Sequence, residues 1–480
     1  MHAVRCLPRG RRRQDGVLAH GVTVAARAPL HDLAVCGGGI SGLALAYLAG
    51  TRGVADVVVL EGAGRPGGKI QTEWVDGFCC EWGPQGFLDN VPETLALVAG
   101  LGLDGELVRA DDAAGDRFIA RNGRLRKVPL SPPAFLTSDV LSLPGRLRVL
   151  LEPFQRRGAL EESVFTFAAR RIGREAAEVL VDAMVTGVYA GDPARLSLPA
   201  TFPKMRAMER DYGSLVRAML ARRKSGGGGP AGPGGTLTTL RLGMQQLTDA
   251  LASALGAGVR LGVPVERITR GAGAFAVRLG DGSEVAAKQV AVAMPPGAAA
   301  RALGELLPEG AVAALQGIPY AKVAVVMTGY RAPHPFAHPT RGFGFLVPGR
   351  ERRRILGSIF CDATFPAQAP AGATLLRTLL GGARDPGALD LSDGELLALA
   401  RRELDHFLGG DPEPDFVRII RHDYGIPQYT LGHLARLDEI ERAAAAIPGL
   451  HLLGNGFHGI AANACVVEAE RIAAAVAGGA

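Results

Sequence analysis

Aromatic residues are scarce in this 480-residue chain, 5% of the total, while glycine reaches 66. Few large rings and many small residues point to close backbone packing and many turns. No uninterrupted run of eighteen apolar residues occurs, which excludes a conventional spanning helix. The six cysteines include no C-x-x-C pair and no metal-ligand spacing. A reduced, cytosolic compartment is the simplest reading. His334 and His338 stand four apart, but Pro333, Pro335 and Pro339 forbid the helix that would align them, so no metal is expected. An excess of one charge sign is missing too. The net charge is +6, yet residues 1–31 hold six arginines and one acid, which leaves the rest of the chain at +1. A near-neutral body gives no reason to expect nucleic acid as a partner. The tail lacks the apolar core of a secretory signal and is read as a disordered or non-native extension over 1–31.

Hydrophobic residues make up 48% and charged residues 21%, which excludes wholesale disorder, and the length calls for two or three domains. The first strong signal follows Asp32. An apolar run, Leu33-Ala34-Val35-Cys36, leads into Gly37, Gly38, Gly39, Ile40, Ser41 and Gly42, then into an apolar stretch over 43–49. This reads as strand, glycine turn, helix. A second apolar strand, Val57-Val58-Val59-Leu60, ends at Glu61, nineteen residues after Gly42, and is followed by Gly62. In that context G-x-G-x-x-G is a specific dinucleotide signal. The glycines admit a pyrophosphate to the main chain, and the helix behind points free N–H groups and its positive end at it. Glu61 accepts from ribose hydroxyls and repels a 2′-phosphate, so the nucleotide is that of FAD or NAD.

The next segment, Arg65-Pro66-Gly67-Gly68-Lys69, is expected to set cations and bare backbone beside the same pyrophosphate. Far along the chain, Gly454-Asn455-Gly456, with Ile460, Ala461, Ala462 and Asn463, repeats the arrangement of strand, turn and helix start. A helix N-terminus there can face the N1–C2=O edge of a flavin, where negative charge gathers on reduction. An NAD enzyme has no use for such a late anion site. A flavoprotein fed by NAD(P)H needs a further dinucleotide fingerprint, and none is present. FAD reoxidised by oxygen or a quinone follows.

Between these ends, Asn122-Gly123 separates two short strand-like runs, the signature of a two-residue hairpin. From about 141 to 221 the periodicity is helical, with Phe167, Ala168, Ile172, Ala176, Val179 and Leu180 on one face. Residues 225–235 are low-complexity and read as a flexible loop. After Val263-Pro264-Val265 come strand-like runs over 274–279 and 289–293, Pro295-Pro296 marks a boundary, and strands are expected near 322–327, 342–347, 355–360 and 375–380.

These residues resemble the amine-oxidase-type flavoprotein superfamily, and several stretches resemble its protoporphyrinogen oxidase family. Glu81-Trp82-Gly83-Pro84-Gln85-Gly86-Phe87 is similar to that family's E-x-G-P-x-G segment, and Gly187-Val188-Tyr189-Ala190-Gly191-Asp192 to part of its helical region. Ile426-Pro427-Gln428-Tyr429-Thr430-Leu431-Gly432-His433 is the most specific match. The resemblance implies an α/β protein with a Rossmann-like FAD domain (32–92, 236–297 and 421–480), a mostly helical, membrane-associated domain (93–224) and a mixed-sheet substrate domain (298–420). It implies FAD contacts by residues 37–42, Glu61, Gly62, Lys69, Gly83, Pro84, Gln85, Gly86, Val265, Asn455, Ile460, Ala461 and Ala462. It implies a porphyrinogen carboxylate at Arg117 and a ring against Phe343, Gly344 and Leu346. By pattern alone Arg117 is one hairpin arginine among Arg121, Arg124 and Arg126, and Phe343 and Leu346 read as core.

The implied activity is six-electron oxidation of protoporphyrinogen IX to protoporphyrin IX in three flavin turnovers, with oxygen as acceptor. Coproporphyrinogen III is the alternative substrate, and another amine-oxidase-type activity a more distant one. Peripheral contact with the inner face of the membrane, a homodimer and hand-off to a ferrochelatase are the expected associations, in the cytoplasm. The family often has Asn-Asp-Cys where this chain has Asn463-Ala464-Cys465, a loss expected to soften the helix cap at the flavin edge. No cysteine lies between Cys361 and Cys465, so non-covalent FAD is expected. No residue stands out as an acid or base, which leaves positioning to the protein and chemistry to the cofactor.

Overall fold

The computed structural model describes residues 30–224, 234–271, 273–332 and 335–479. The tail expected over 1–31 lies outside them except for its last two residues, which begin the first strand. The loop expected over 225–235 lies outside them except for 234 and 235, and His334 lies outside as well.

Two seven-stranded sheets organise the chain. In the first, Val259–Arg260, Val57–Leu60, Leu30–Cys36 and Glu284–Val292 run parallel in that order. The long strand Glu284–Val292 shares its far edge between two partners. Its first half pairs antiparallel with Phe275–Leu279, itself paired with Val265–Arg270, and its second half pairs parallel with Leu450–Leu452. Leu33, Ala34, Val35 and Cys36 are all fully buried, because helices cover both faces. That is why this strand reads as continuous apolar sequence and not as alternation. On one face the helices Ile40–Thr51 and Ala462–Gly478 pack side by side through Leu43, Ala46, Ala49, Ala469, Ile472 and Ala473. The small residues that the composition advertised are what let these two backbones approach.

The second sheet has the order Phe416–Pro427, Tyr320–Tyr330, Thr374–Gly381, Ile355–Phe360, Gly344–Leu346, Arg117–Arg121, Arg124–Lys127. Helix Asp393–Leu408, started by a Ser392–Glu395 capping box, covers one of its faces. The predicted hairpin is present, with Asn122 at φ 52° and Gly123 at φ 71° as a two-residue turn of this kind requires. Its place differs from the expectation. Gly344–Leu346 pairs in parallel with Arg117–Ile119, so the hairpin forms the edge of the second sheet and not part of the helical region. Likewise Phe416–Pro427 crosses the 420/421 boundary as one continuous strand.

The helical region runs from Pro132–Thr137 to Leu215–Lys224. Ser163 caps helix Val164–Ile172 by accepting from the Thr166 N–H at 3.1 Å. Arg171, fully buried, pairs with Glu152 and approaches Glu209, and Glu152 also accepts from the Ser214 hydroxyl and from two backbone N–H groups. Hairpin Thr72–Val75/Phe78–Glu81 joins the two sheets: Phe78 stacks on Phe416, and a Cβ at Gly329 would sit 2.8 Å from the Phe78 ring.

Candidate active site

At the carboxyl end of the first strand the chain turns through Gly37 at φ 115°. A side chain at Gly42 would place Cβ 1.9 Å from the Gly37 carbonyl oxygen, so the turn tolerates none there. Gly39 differs: a Cβ there would meet no protein atom within 4 Å, and it caps helix Ile40–Thr51 without any side-chain hydrogen bond. The cradle is open at Gly39, and the helix start carries no side-chain cap. Glu61 locks the turn from the neighbouring strand, accepting from the Gly38 N–H at 2.6 Å and the Ala63 N–H at 2.7 Å. A Cβ on Gly62 would touch Pro264, which brings Val265 to the same corner. Gly67 donates to the Gly38 carbonyl at 2.8 Å and lays the second glycine pair on the first.

The two cations of the Arg65–Lys69 segment are hydrogen-bonded to backbone carbonyls. The Arg65 guanidinium wraps its own loop, donating to the Pro66 and Gly68 carbonyls. Lys69 turns toward the second sheet, where its ammonium donates to the Gly425 carbonyl at 2.8 Å and lies 4.9 Å from the Tyr320 ring centre. Burial lowers its pKa to about 8.

The second turn lies beside that lysine. Gly454 leaves strand Leu450–Leu452 at φ 123°, and helix Ala462–Gly478 begins after Ala461, again with no side-chain cap. Tyr429 holds the turn: its hydroxyl donates to the Asn455 carbonyl at 2.6 Å and accepts from the Gly459 N–H at 2.9 Å. His433 stacks on Tyr429 at 4.1 Å, and Gln428 donates to the Tyr189 carbonyl at 2.7 Å. The stretch that stood out in sequence is thus the clamp between this turn, the second sheet and the helical region. Tyr320 adds a contact to Asn455 Oδ1 at 3.4 Å. Asn463 donates to the Leu88 carbonyl at 2.9 Å, while its side-chain oxygen is buried with no donor. With Ala464 the first helical turn carries no carboxylate to take its N–H groups, and they stay available to a bound group.

Between the two turns lies the Gly83-Pro84-Gln85-Gly86 segment. Cβ atoms on Gly83 and Gly86 would fall 2.3 Å from the Lys69 carbonyl oxygen and 2.5 Å from the Thr238 carbonyl oxygen. Gln85 is buried against Gln368 at 3.3 Å. Sequence reading missed Arg377, an arginine inside an apolar strand, which donates to the Gly83 carbonyl at 2.6 Å and is buried with its Nε unsatisfied. Glu81, also buried, accepts from the Met244 N–H and the Thr72 hydroxyl, and burial raises its pKa to about 7.

The expected substrate residues come together on the face of the second sheet turned toward this crevice. Pairing register places Arg117, Gly344, Ile359 and Arg377 in one transverse row, on one face. Arg117 is exposed at the edge, 5.6 Å from the Phe343 ring centre. Gly344, at φ 133°, is bare because a Cβ would sit 2.2 Å from the Ser358 carbonyl oxygen. Leu346 packs where a Cβ on Gly187 would lie 2.9 Å away, closing the slot from the helical side. Phe343, Leu346, Ile359, Leu379 and Ile426 are only half-buried and form an apolar wall.

An open diphosphate cradle, a ribose carboxylate and a second uncapped helix start fit a flavin dinucleotide laid between the sheets. The fold and site define a flavin-dependent oxidoreductase. A family profile described as flavin-containing amine oxidoreductase matches residues 40–477. The chloroplastic protoporphyrinogen oxidase of Oryza sativa subsp. japonica is 34% identical over 93% of this chain and 88% of that protein. The coproporphyrinogen III oxidase of Bacillus subtilis (strain 168) is 30% identical over 91% and 96%. A crystal structure from Exiguobacterium sp. 255-15, assigned as a protoporphyrinogen oxidase, superposes with a TM-score of 0.81 at 26% identity, covering 94% of this chain and 99% of that one. The chain belongs to the flavin-containing amine oxidoreductases, and FAD is its cofactor.

Proposed function

We propose that the chain oxidises protoporphyrinogen IX to protoporphyrin IX, removing six electrons in three turns and passing them to oxygen. The observation that carries this reading is the transverse row itself: an arginine at the open edge, then a bare glycine and apolar side chains leading inward to the cofactor crevice. A reduced tetrapyrrole is a broad apolar ring with carboxylate arms, and such a ligand calls for an apolar wall with a cation at its mouth. Arg117 takes a carboxylate arm. Phe343, Leu346, Ile359 and Leu379 cover the ring and exclude water, and Gly344 lets it lie close to the sheet. Bound FAD supplies the two-electron acceptor. Glu81 and His422 are each engaged with neighbours, the latter with the Trp82 carbonyl at 2.8 Å, so the protein's part is positioning.

One observation favours coproporphyrinogen III as a second substrate. Arg377 stands in the same row three strands from Arg117, about 14 Å away at ordinary strand spacing. Two cations facing across an apolar span suit a ring with carboxylates on opposite edges. Porphyrin fluorescence under steady-state turnover tests both readings. Arg117→Ala is expected to raise KM about tenfold or more for either porphyrinogen, and Arg377→Met only for coproporphyrinogen. An unchanged KM in Arg117→Ala contradicts the placement of the substrate, and an unchanged one in Arg377→Met removes the second reading.

The poor solubility of substrate and product supports a peripheral seat on the inner face of the cytoplasmic membrane. Helix Leu143–Leu150 and the segment after it hold Leu143, Leu147, Leu150, Leu151 and Phe154 exposed, with Arg156 and Arg157 exposed beside them. Exposed leucines flanked by arginines suit an anionic lipid surface. Homodimerisation and hand-off of the product to a ferrochelatase complete the proposal.

A further inference from the structure

Leu346 is held from outside its own sheet. It packs against the cluster that contains Ile119, Val179 and Ala183, and a Cβ on Gly187 would lie 2.9 Å from it. Positions 183 and 187 stand one turn apart, so Leu346 rests on one face of helix Asp182–Tyr189. That helix follows a π-helical turn, Ala177–Val181, a rare wide turn that recurs at functional sites. The first residue behind it is Asp182, whose buried carboxylate gathers three elements. Its Oδ1 accepts from the Gly349 N–H at 3.0 Å, three residues beyond Leu346, and from the Thr186 hydroxyl of its own helix at 3.3 Å. Arg384, in the loop after strand Thr374–Gly381, donates to Oδ1 at 2.9 Å and to Oδ2 at 2.6 Å. A side chain on Gly349 would fall 2.5 Å from that guanidinium. The other end of the helix is fastened separately, by the Ala383 N–H to the Ala190 carbonyl at 2.8 Å. An exposed ion pair fixes little, but a two-bonded guanidinium on a buried carboxylate that also holds main chain fixes direction.

We propose that the Asp182–Arg384 pair is a positioning device for the substrate slot: it ties the helix, the chain beyond Leu346 and the loop at Arg384 to one carboxylate, and so sets where Leu346 meets the porphyrinogen ring. This rests on the substrate reading above, in which Leu346 covers that ring. Both side chains are spent on each other and on Gly349, so they act through Leu346 and are not ligands of the substrate.

Steady-state turnover followed by porphyrin fluorescence, with rates taken per bound FAD, tests the proposal. Arg384→Met is expected to raise KM for protoporphyrinogen IX about fivefold or more, because a displaced wall loses ring contact. Its kcat and FAD affinity should stay within about twofold, since neither group of the pair bonds to a cofactor turn. Arg384→Lys, which keeps the charge and one bond, should restore KM to within about threefold of the wild type. A purely structural pair would lower thermal stability and the FAD-loaded fraction without moving KM per bound FAD, and that result in Arg384→Met overturns the proposal. Should Arg384→Met fail to fold, Asp182→Asn decides: it keeps an acceptor for Gly349 and loses the ion pair, and a wild-type KM there overturns the proposal equally. Arg117→Ala and Leu346→Ala separate the two levels. If both leave KM unchanged, the substrate reading fails and takes this proposal with it. If both raise KM and Arg384→Met does not, only the positioning role fails.

Discussion

The glycines of the first turn separate two demands that sequence alone cannot separate. Gly42 is glycine because the fold has no room: its Cβ would strike backbone, which no rotamer can relieve. Gly39 has room and an ordinary φ of −75°, so nothing in the protein requires glycine there. The remaining reason is the cofactor. Gly39→Ala is therefore expected to keep the thermal stability of the FAD-free protein within about 0.5 kcal/mol, as an unobstructed surface substitution does. Its FAD affinity should fall tenfold or more. Thermal unfolding with and without FAD checks both, and wild-type FAD affinity would mean the diphosphate lies elsewhere. Glu81 offers a second check at this scale. Its folded pKa of about 7 lies above the ordinary 4.5, so its contribution to stability is fully present below pH 4.5 and is lost as pH rises toward 7. Glu81→Gln should flatten the fall in stability across that window, measured by urea unfolding; an unaltered slope contradicts the placement of the carboxyl.

Among the elements, the clamp built from residues 426–433 positions the second turn. Tyr429→Phe strips a donor from the Asn455 carbonyl and an acceptor from the Gly459 N–H, and groups left unpaired in a buried setting cost about 1–3 kcal/mol. Urea unfolding should show that loss, together with weaker FAD retention. Stability and FAD retention equal to the wild type would show that the turn holds itself. The elements also mark what was legible in the sequence. The strand, glycine turn, helix and acid at 33–61 were readable because local backbone geometry dictates each residue type. The Asn122-Gly123 hairpin was readable for the same reason, but its sheet was not, since its partner strand Gly344–Leu346 lies more than two hundred residues away. Arg117, Phe343, Gly344 and Leu346 were named through resemblance, and only the register brings them onto one face. Arg377 left no sequence signal: a lone arginine in a strand looks ordinary until tertiary packing buries it.

For the whole molecule, the crevice is lined where hairpin Thr72–Glu81, the Tyr429 clamp and the helical region meet the two sheets. Leu143, Leu147 and Leu150 are exposed, so lipid contact and cofactor binding should be separable. Leu147→Glu with Leu150→Glu is expected to abolish co-sedimentation with anionic vesicles while leaving FAD bound. Retained sedimentation would remove the membrane proposal. The central claim, a porphyrinogen delivering electrons to flavin in this crevice, is tested most directly by anaerobic mixing of the FAD-loaded protein with protoporphyrinogen IX. The account predicts bleaching of the flavin's visible band within one turnover, the band returning when oxygen is admitted. A flavin that stays oxidised in the presence of protoporphyrinogen and of coproporphyrinogen alike would contradict it.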